Sequence, residues 1–431
     1  MNDLASSAHD TSAESHAARR AALACMVTLA VALGIGRFAF TPLLPLMLHG
    51  SASGQPQLDI QHGGWLASFN YAGYFVGAVA CAALRVEPPR MVRAGLVATV
   101  LLTLAMGVTN QFWIWAVVRF VAGAVSAWTF VFASQWGLRR LAELGAHGWS
   151  GVIYTGPGVG IVGTGLLVSA AGSFGATAGW IGFGLVAAVL SILVWPVFAS
   201  VAHIAPRGAA LAAGGTTAAV HASKTPAAGQ HARTSNVPHR ADAFWLVLLY
   251  GVPGFGYIIT ATFLPVIARH ALPGSSWPDL FWPMFGAALI VGALCAARLP
   301  VHWDNRTLLA GCYVLQAGGI ALGIVWPTAG GFSLGSILIG LPFTAITLFA
   351  MREARRLRGD HAAGLMGYAT AAYGVGQIVG PLVAAPIAEH TGSFSPALWL
   401  AAGALLLGAA GLIIVARMPR GRGRMPDCGR N

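Results

Sequence analysis

Two arginines stand inside long apolar stretches of this sequence, where charged side chains are rare. Arg37 lies in the run GIGRFAFTPLLPLM, and Arg119 lies in a later apolar stretch. A guanidinium group is a planar fork that binds a carboxylate or a phosphate through two parallel hydrogen bonds. We therefore expect an anion site at these arginines. An alternative stays open for each arginine. Arg37 could instead bind a carbonyl of a helix that is broken near Pro42. Arg119 could only tie its own helix to carbonyls of the first apolar stretch.

No acidic residue is placed to pair with either arginine. All thirteen Asp and Glu residues fall in tails, loops or the ends of apolar stretches. Two buried cations without a counter-ion would repel each other, and an anionic ligand would relieve that repulsion. The same absence removes the usual carboxylate route for protons, so a proton would have to arrive with the ligand, or transport would be an exchange.

Hydroxyl and amide groups accompany the arginines at similar positions. Tyr257 and Thr260 lie in the stretch that repeats the surroundings of Arg37, while Asn70 and Tyr71 lie in the second stretch. We expect these four side chains to contact the ligand, although each is also compatible with helix packing. Gln316 and Gln377 are weaker candidates, because amides often bond between helices.

The composition requires a membrane as the solvent for these residues. The chain has 431 residues, of which 56% are hydrophobic and 9% are charged. Soluble domains carry about 25% charged residues, and no core could hide so much apolar surface from water. A helix spans a bilayer with about 20 apolar residues, so roughly twelve spans would use about 240 residues. We predict an all-α membrane protein and exclude a soluble enzyme. The net charge of +12 reflects topology and not a nucleic-acid partner.

Apolar stretches divide the chain into two sets of six. We expect a cytoplasmic N-terminal tail over 1–20, a six-helix bundle over 21–202, a flexible linker over 203–241, a second bundle over 242–417 and a basic tail over 418–431. The first apolar stretch is too long for a signal peptide and is expected to be a retained span.

The basic residues predict the orientation of the chain. With both termini in the cytoplasm, the inner segments hold 22 of the 25 Lys and Arg residues, and the outer loops hold only Arg269. This split is a strong positive-inside signal. Arg37 and Arg119 then lie about 16 Å and about 12 Å from the outer ends of their helices, and could share a layer. Arginine far outnumbers lysine, as in GC-rich bacteria, and we expect a bacterial cytoplasmic (inner) membrane.

The two halves repeat each other at offsets of about 214–220 residues. Gly34-x-Gly36 before Leu44-Pro45 matches Gly254-x-Gly256 before Leu264-Pro265. Parallel six-span repeats, which give two pseudo-symmetric bundles, are the build of secondary transporters with a site at mid-membrane between the halves. Small residues permit close helix approach and prolines permit bends, so a set of them is expected to pack helices or to act as hinges. That set comprises Gly156, Pro157, Gly160, Gly376, Gly380 and Pro381.

Several motifs resemble the major facilitator superfamily across essentially the whole chain. Arg119-x-x-x-Gly123 is similar to its span-4 motif, and Gly156-Pro157-x-x-Gly160 is similar to the motif of its antiporters. The runs GIGRFAFTPLLPLM and GFGYIITATFLP, with Asn70-Tyr71-x-Gly73-Tyr74, resemble the YbfB/YjiJ-type branch. The resemblance implies twelve transmembrane helices and transport by alternating access. The chain departs from the family in the loop after span 2, which reads LRVEPPR, and at Ile161.

The leading hypothesis is a secondary transporter for a small organic anion, with Arg37 and Arg119 holding the anion and Tyr257 closing from the other half. The alternative is multidrug-type efflux of hydrophobic or cationic compounds, which the Gly-Pro motif favours and the lack of a buried carboxylate disfavours. A membrane enzyme or sensor would need clustered catalytic residues or an added signalling domain, and neither is visible. We expect no cofactor and no metal, the lipid bilayer and a small molecule as partners, and a functional monomer.

Overall fold

The fold is seen in a computed structural model that describes residues 2–49, 58–81, 83, 86–199, 237–300, 302–358 and 362–418. Within these ranges every regular element is a helix. The predicted linker up to residue 236, the basic tail from residue 419 and Met1 of the N-terminal tail lie outside the described residues. The first helix begins at Asn2, so the segment expected as a tail is helical.

The N-terminal half contains eight α-helices in its described part. They are α1 (Asn2–Leu29), α2 (Phe40–His49), α3 (Ile60–Cys81), α4 (Pro88–Val108), α5 (Phe112–Glu143), α6 (Ser150–Ile153), α7 (Gly156–Ala171) and α8 (Gly175–Ala199). A π-helix, Ala30–Ile35, continues α1 toward α2, and short 3₁₀ turns, His147–Trp149 and Gly172–Phe174, precede α6 and α8.

The C-terminal half contains seven described α-helices. They are α9 (Val237–Ala271), α10 (Pro278–Arg298), α11 (Asn305–Val325), α12 (Ala329–Gly340), α13 (Phe343–Arg358), α14 (Ala362–Thr391) and α15 (Ser395–Arg417).

These helices make twelve membrane crossings in the described part of the chain. Ten stretches are long and apolar enough to span. One of them, Ser150–Phe198, has 49 residues and would exceed twice the thickness of a bilayer core of about 30 Å. It divides at Gly175, whose φ of 85° ends one crossing and starts the next. The helix α3 adds the twelfth crossing with 22 residues, and its polar side chains keep its mean hydropathy low. The predicted twelve-helix fold in two bundles is confirmed.

Reciprocal glycines show the pseudo-symmetry of the two bundles. In the N-terminal half, the Cα of Gly73 faces the Phe120 carbonyl while Gly123 faces the Asn70 carbonyl. The C-terminal half repeats this pair of contacts where α10 meets the end of α12. There Gly292 faces the Leu341 carbonyl and Gly340 faces the Phe285 carbonyl. A Cβ atom at any of these glycines would collide with backbone, so the missing side chain is what lets the helices touch.

An ion cluster secures the end of the C-terminal bundle that lies nearest to the chain termini. Glu353 is completely buried, and its Oε1 lies 2.8 Å from Arg306 Nε. Arg306 Nη2 also lies 2.9 Å from Asp242 Oδ2, and its Nη1 donates to the Val415 carbonyl at 3.2 Å. The cluster joins α9, α11, α13 and α15, so a buried charge is tolerated there because opposite charges lie beside it.

Candidate functional site

A break in the first membrane helix creates the position of Arg37. Between the π-helix and α2, the amides of Gly36 and Phe38 reach back five residues to the carbonyls of Val31 and Leu33. Pro42 has no N–H and cannot continue the α-helical ladder. In the described bonding, no backbone amide reaches the carbonyls of Gly36 and Arg37. The break therefore leaves two acceptors uncovered at the depth where Arg37 projects.

Arg119 supplies donors to those two carbonyls. Its Nη1 donates to the Gly36 oxygen at 3.4 Å, and its Nη2 donates to the Arg37 oxygen at 3.1 Å. The side chain is 2% exposed, and its guanidinium stands 4.8 Å from the ring centre of Phe40. The structure thus contains the tie between α5 and the broken helix that the alternative for Arg119 describes, and ligand binding by Arg119 stays a prediction. The tie has a physical reason: buried carbonyls without donors are costly, and Arg119 is what covers them.

Arg37 lies in an aromatic setting between the two bundles. Its guanidinium carbon is 4.0 Å from the ring centre of Tyr74, 5.1 Å from that of Tyr71 and 5.2 Å from that of Phe38. Its Nη2 donates to Gln377 Oε1 at 2.9 Å, while its Nε is buried without a hydrogen-bond partner. No carboxylate of the described chain pairs with it. The cation is thus balanced only by π-electrons and a neutral amide.

The C-terminal bundle faces Arg37 with an amide and stacked tyrosines. Gln377 accepts from Arg37 and donates through Nε2 to the hydroxyl of Tyr257. Tyr257 stacks on Tyr373 with ring centres 6.0 Å apart, and Tyr373 stacks on Tyr250 at 5.0 Å. The predicted approach of Tyr257 to Arg37 is therefore made through Gln377.

The remaining predicted contacts divide into three cases. Tyr71 lies under Arg37, and its hydroxyl is 2.9 Å from Thr262 Oγ1 across the two bundles. Asn70 instead donates to the Arg119 carbonyl at 2.9 Å and so joins α3 to α5. Thr260 lines a small cavity of about 20 Å³ among α9, α11, α12 and α15, and its buried hydroxyl has no partner. The helix α9 turns Thr260 into its own bundle, so the structure separates it from Arg37.

The glycines and prolines predicted as hinges or packing points lie at helix contacts. Gly156 and Gly160 press on the carbonyls of Met26 and Ala30, and Gly376 approaches Gly251 in the same way in the other half. Gly380 rests against Ile258, and Pro381 lies opposite Gly64 of α3. Pro157 occupies the first turn of α7, directly after the interruption at Tyr154 and Thr155. These contacts support close packing, and a hinge role stays a prediction.

Gln377, Tyr74 and Tyr373 belong to the cluster, but the sequence offers Gln377 only as a weaker candidate and does not predict a ligand contact for the two tyrosines. Gln377 is a lone amide in an apolar helix, which reads equally as a bond between helices. Its signal was its depth, because an amide in the middle of α14 stands level with the middle of the membrane. Tyr74 and Tyr373 look like ordinary packed aromatics until their rings are placed around one guanidinium.

Four hydrogen bonds connect the two bundles in the described structure. Their pairs are Arg37–Gln377, Tyr71–Thr262, Thr41 to the Ala261 carbonyl, and Ser68 to the Ile378 carbonyl. All four lie at the middle of the membrane or in the half away from the chain termini. Among the described residues no group of three His, Cys, Asp or Glu side chains is placed to hold a metal ion.

Comparisons with known proteins agree with this architecture. A family model described as "Uncharacterised MFS-type transporter YbfB" matches residues 29–414. Two crystal structures of the nucleoside transporter NupG are similar in fold. The alignment with a point mutant of NupG has a TM-score of 0.69 and 14% sequence identity, and it covers 92% of this chain and 99% of the NupG chain. The alignment with the other NupG structure has a TM-score of 0.62 and 12% sequence identity, and it covers 94% of this chain and 100% of the NupG chain. A search of curated proteins finds no match.

The family match extends over most of the chain and includes both bundles and the interface between them. The broken first helix, the two embedded arginines and the facing tyrosines all lie inside the matched range. The protein is a multi-pass membrane transporter, and it belongs to the YbfB-type family of the major facilitator superfamily.

Proposed function

We propose that the protein moves a small organic anion across the membrane by alternating access, with Arg37 as the residue that holds the anion. The observation that carries this proposal is a guanidinium that is 5% exposed, donates to a neutral amide and has no acidic partner among the described residues. A cation buried without a counter-ion is costly, and a bound anion lowers that cost. A neutral substrate would leave the cost in place.

The edge of the guanidinium that includes Nε and Nη2 suits a carboxylate. Nε is buried without a partner, and Nη2 is held only by Gln377. A substrate carboxylate that displaced the amide would accept two bonds between opposite charges in place of one bond to a neutral acceptor. Gln377 would then be free to keep its bond to Tyr257 within the C-terminal bundle.

The tyrosines around Arg37 favour a substrate with a flat apolar part. Tyr71 and Tyr74 present ring faces from α3, while Tyr257 and Tyr373 present a stacked pair from α9 and α14. Aromatic faces pack well against planar groups, and their hydroxyls provide polar contacts at the rim. We expect aromatic or conjugated carboxylates to bind better than compact inorganic anions.

Orientation and mechanism follow from the same features. The excess of Lys and Arg on one side supports cytoplasmic termini in a bacterial inner membrane. All four bonds between the bundles then lie at mid-membrane or on the outer side, which fits a conformation closed to the outside. Rocking of the bundles about Arg37 would expose the anion to each side in turn, and a single chain supplies both halves of the site.

The test is thermal unfolding of the purified full chain against a panel of carboxylates, sulfonates, phosphates, neutral nucleosides and hydrophobic cations. A ligand at 100 times its dissociation constant stabilises by about 2.7 kcal/mol. We expect stabilisation by a carboxylate class, and its loss in Arg37→Gln. Stabilisation by cations alone would favour multidrug-type efflux. Stabilisation by nucleosides alone would point to neutral substrates such as the one for which NupG is named.

Gln377→Glu supplies the sharper control. The new carboxylate would stand within bonding distance of Arg37 and act as an internal anion. We expect this variant to be at least as stable as the parent chain and to lose anion-induced stabilisation. Undiminished anion binding in Gln377→Glu would show that the substrate does not use Arg37.

A further inference from the structure

We propose that a groove between α1 and α8, separate from the central site, binds an anionic phospholipid. The face of α1 that lines it contains His16, Arg19, Arg20, Leu23 and Val27. These positions follow the spacing i, i+3, i+4, i+7 and i+11, which places them on one side of a helix. Leu193, Val194 and Val197 of α8 form the opposite wall, and the groove has a volume of about 470 Å³.

The basic side chains at the mouth of the groove have no acidic partners among the described residues. His16, Arg19 and Arg20 are exposed, and no described carboxylate forms an ion pair with them. Three other arginines on the same side of the membrane are paired: Arg90 with Glu87, Arg140 with Glu143, and Arg356 with Asp304. The groove therefore concentrates cationic charge that the protein itself leaves uncompensated, which is complementary to a phosphate group.

Below the cations the groove becomes apolar. Leu23 and Val27 lie about 5 Å and about 11 Å further along α1 than Arg20, at 1.5 Å per residue. Leu193 on the facing wall is 68% exposed. A ligand that matches both parts has an anionic head and a hydrocarbon chain beneath it, whereas a free phosphate would use only the rim. Basic pockets between membrane helices bind anionic lipid head groups in this manner.

Lipid binding to the full chain in detergent would test the proposal by native mass spectrometry. The probes are phosphatidylglycerol and phosphatidylcholine with identical acyl chains. A basic side chain near an anionic lipid surface contributes about 1 kcal/mol, or about 5-fold in affinity. We expect the double variant Arg19→Gln/Arg20→Gln to lose roughly 10- to 25-fold in affinity for phosphatidylglycerol and to leave phosphatidylcholine binding unchanged.

Arg355→Gln/Arg358→Gln is the matched control, since it removes two exposed arginines from the same side of the membrane at the end of α13. We expect it to keep the preference for phosphatidylglycerol. An equal loss in both double variants would reduce the effect to general charge and overturn the proposal. Displacement of the lipid by glycerol 3-phosphate would show a site for free phosphate instead. Thermal unfolding without added lipid should be the same in all variants, because these side chains are exposed.

Discussion

Arg37 and Arg119 are buried to a similar degree but have different surroundings in this protein. Arg119 is held by the carbonyls of Gly36 and Arg37, whereas Arg37 has a neutral amide and three aromatic rings. Both Nε atoms are buried without a hydrogen-bond partner, but the two Nη atoms of Arg119 donate to backbone carbonyls of the broken helix, whereas Nη2 of Arg37 donates to a side-chain amide. In our proposal, this difference in partners makes Arg119 a residue that positions the site and Arg37 the residue that binds the anion.

Arg119→Leu should therefore affect folding more than affinity. The substitution leaves two carbonyls buried without donors, and each such group costs about 1–3 kcal/mol. We expect the free energy of unfolding to fall by about 2–4 kcal/mol in thermal melts of the purified protein. Arg119→Lys should recover part of the loss, because an ammonium reaches one of the two oxygens. A fully stable Arg119→Leu variant would show that the carbonyls are satisfied in another way.

The sequence identified Arg37 because a charge in an apolar run is conspicuous, but it could not assign the partners. Gln377 lies 340 positions away, and its approach to Arg37 depends on how the two bundles dock. The surroundings of Thr260 also depend on how the helices pack. Thr260 is near Tyr257 on α9, yet its side chain enters the cavity of its own bundle.

At the scale of elements, a close contact between α7 and the first membrane helix supports the break that places Arg37. Gly160 lies where a Cβ atom would stand 2.6 Å from the Ala30 carbonyl and 2.6 Å from the Gly34 Cα. The membrane spans could be predicted from the apolar composition, and the glycine repeats from motifs that recur in the second half of the chain. The π-helix at Ala30–Ile35 could not be predicted, because its shifted bonds depend on this neighbour as well as on Pro42.

A pair of glycines on α7 provides a direct test of this contact. Gly160→Ala should lower the free energy of unfolding by about 1–3 kcal/mol, the usual cost of overpacking. Gly163 lies one turn further on with no atom within 4 Å of an added Cβ. Gly163→Ala should be neutral or stabilising by up to about 1 kcal/mol, as expected for alanine in a helix. Thermal melts of both variants separate the effect of the helix contact from the effect of the alanine itself. Equal changes in the two variants would contradict the packing argument.

For the whole molecule, the bonds between the bundles lie at its middle or in the half away from the chain termini, and in the proposed mechanism they seal that side. Both partners of the Tyr71–Thr262 bond are buried, and the bond lies in the half of the membrane away from the chain termini. Pseudo-symmetry explains how the two halves pack, but not which side is closed. That depends on side chains such as these, which differ between the repeats.

Tyr71→Phe removes one of these bonds without changing packing volume, so conformations that open on that side should become more populated. A net hydrogen bond contributes about 0.5–1.5 kcal/mol, so a shift of about 2- to 10-fold is expected. The readout is the thiol labelling rate of Ala385→Cys in a background whose five native cysteines are replaced by alanine. Ala385 is fully buried against Gly64 and becomes accessible only when the bundles separate there. Tyr313→Phe is the matched control, because its hydroxyl donates to the Leu249 carbonyl within one bundle.

Thr262→Val should act like Tyr71→Phe, and the double variant should add nothing further, because both substitutions break the same bond. Equal labelling in Tyr71→Phe and Tyr313→Phe would mean that this bond does not hold the bundles together.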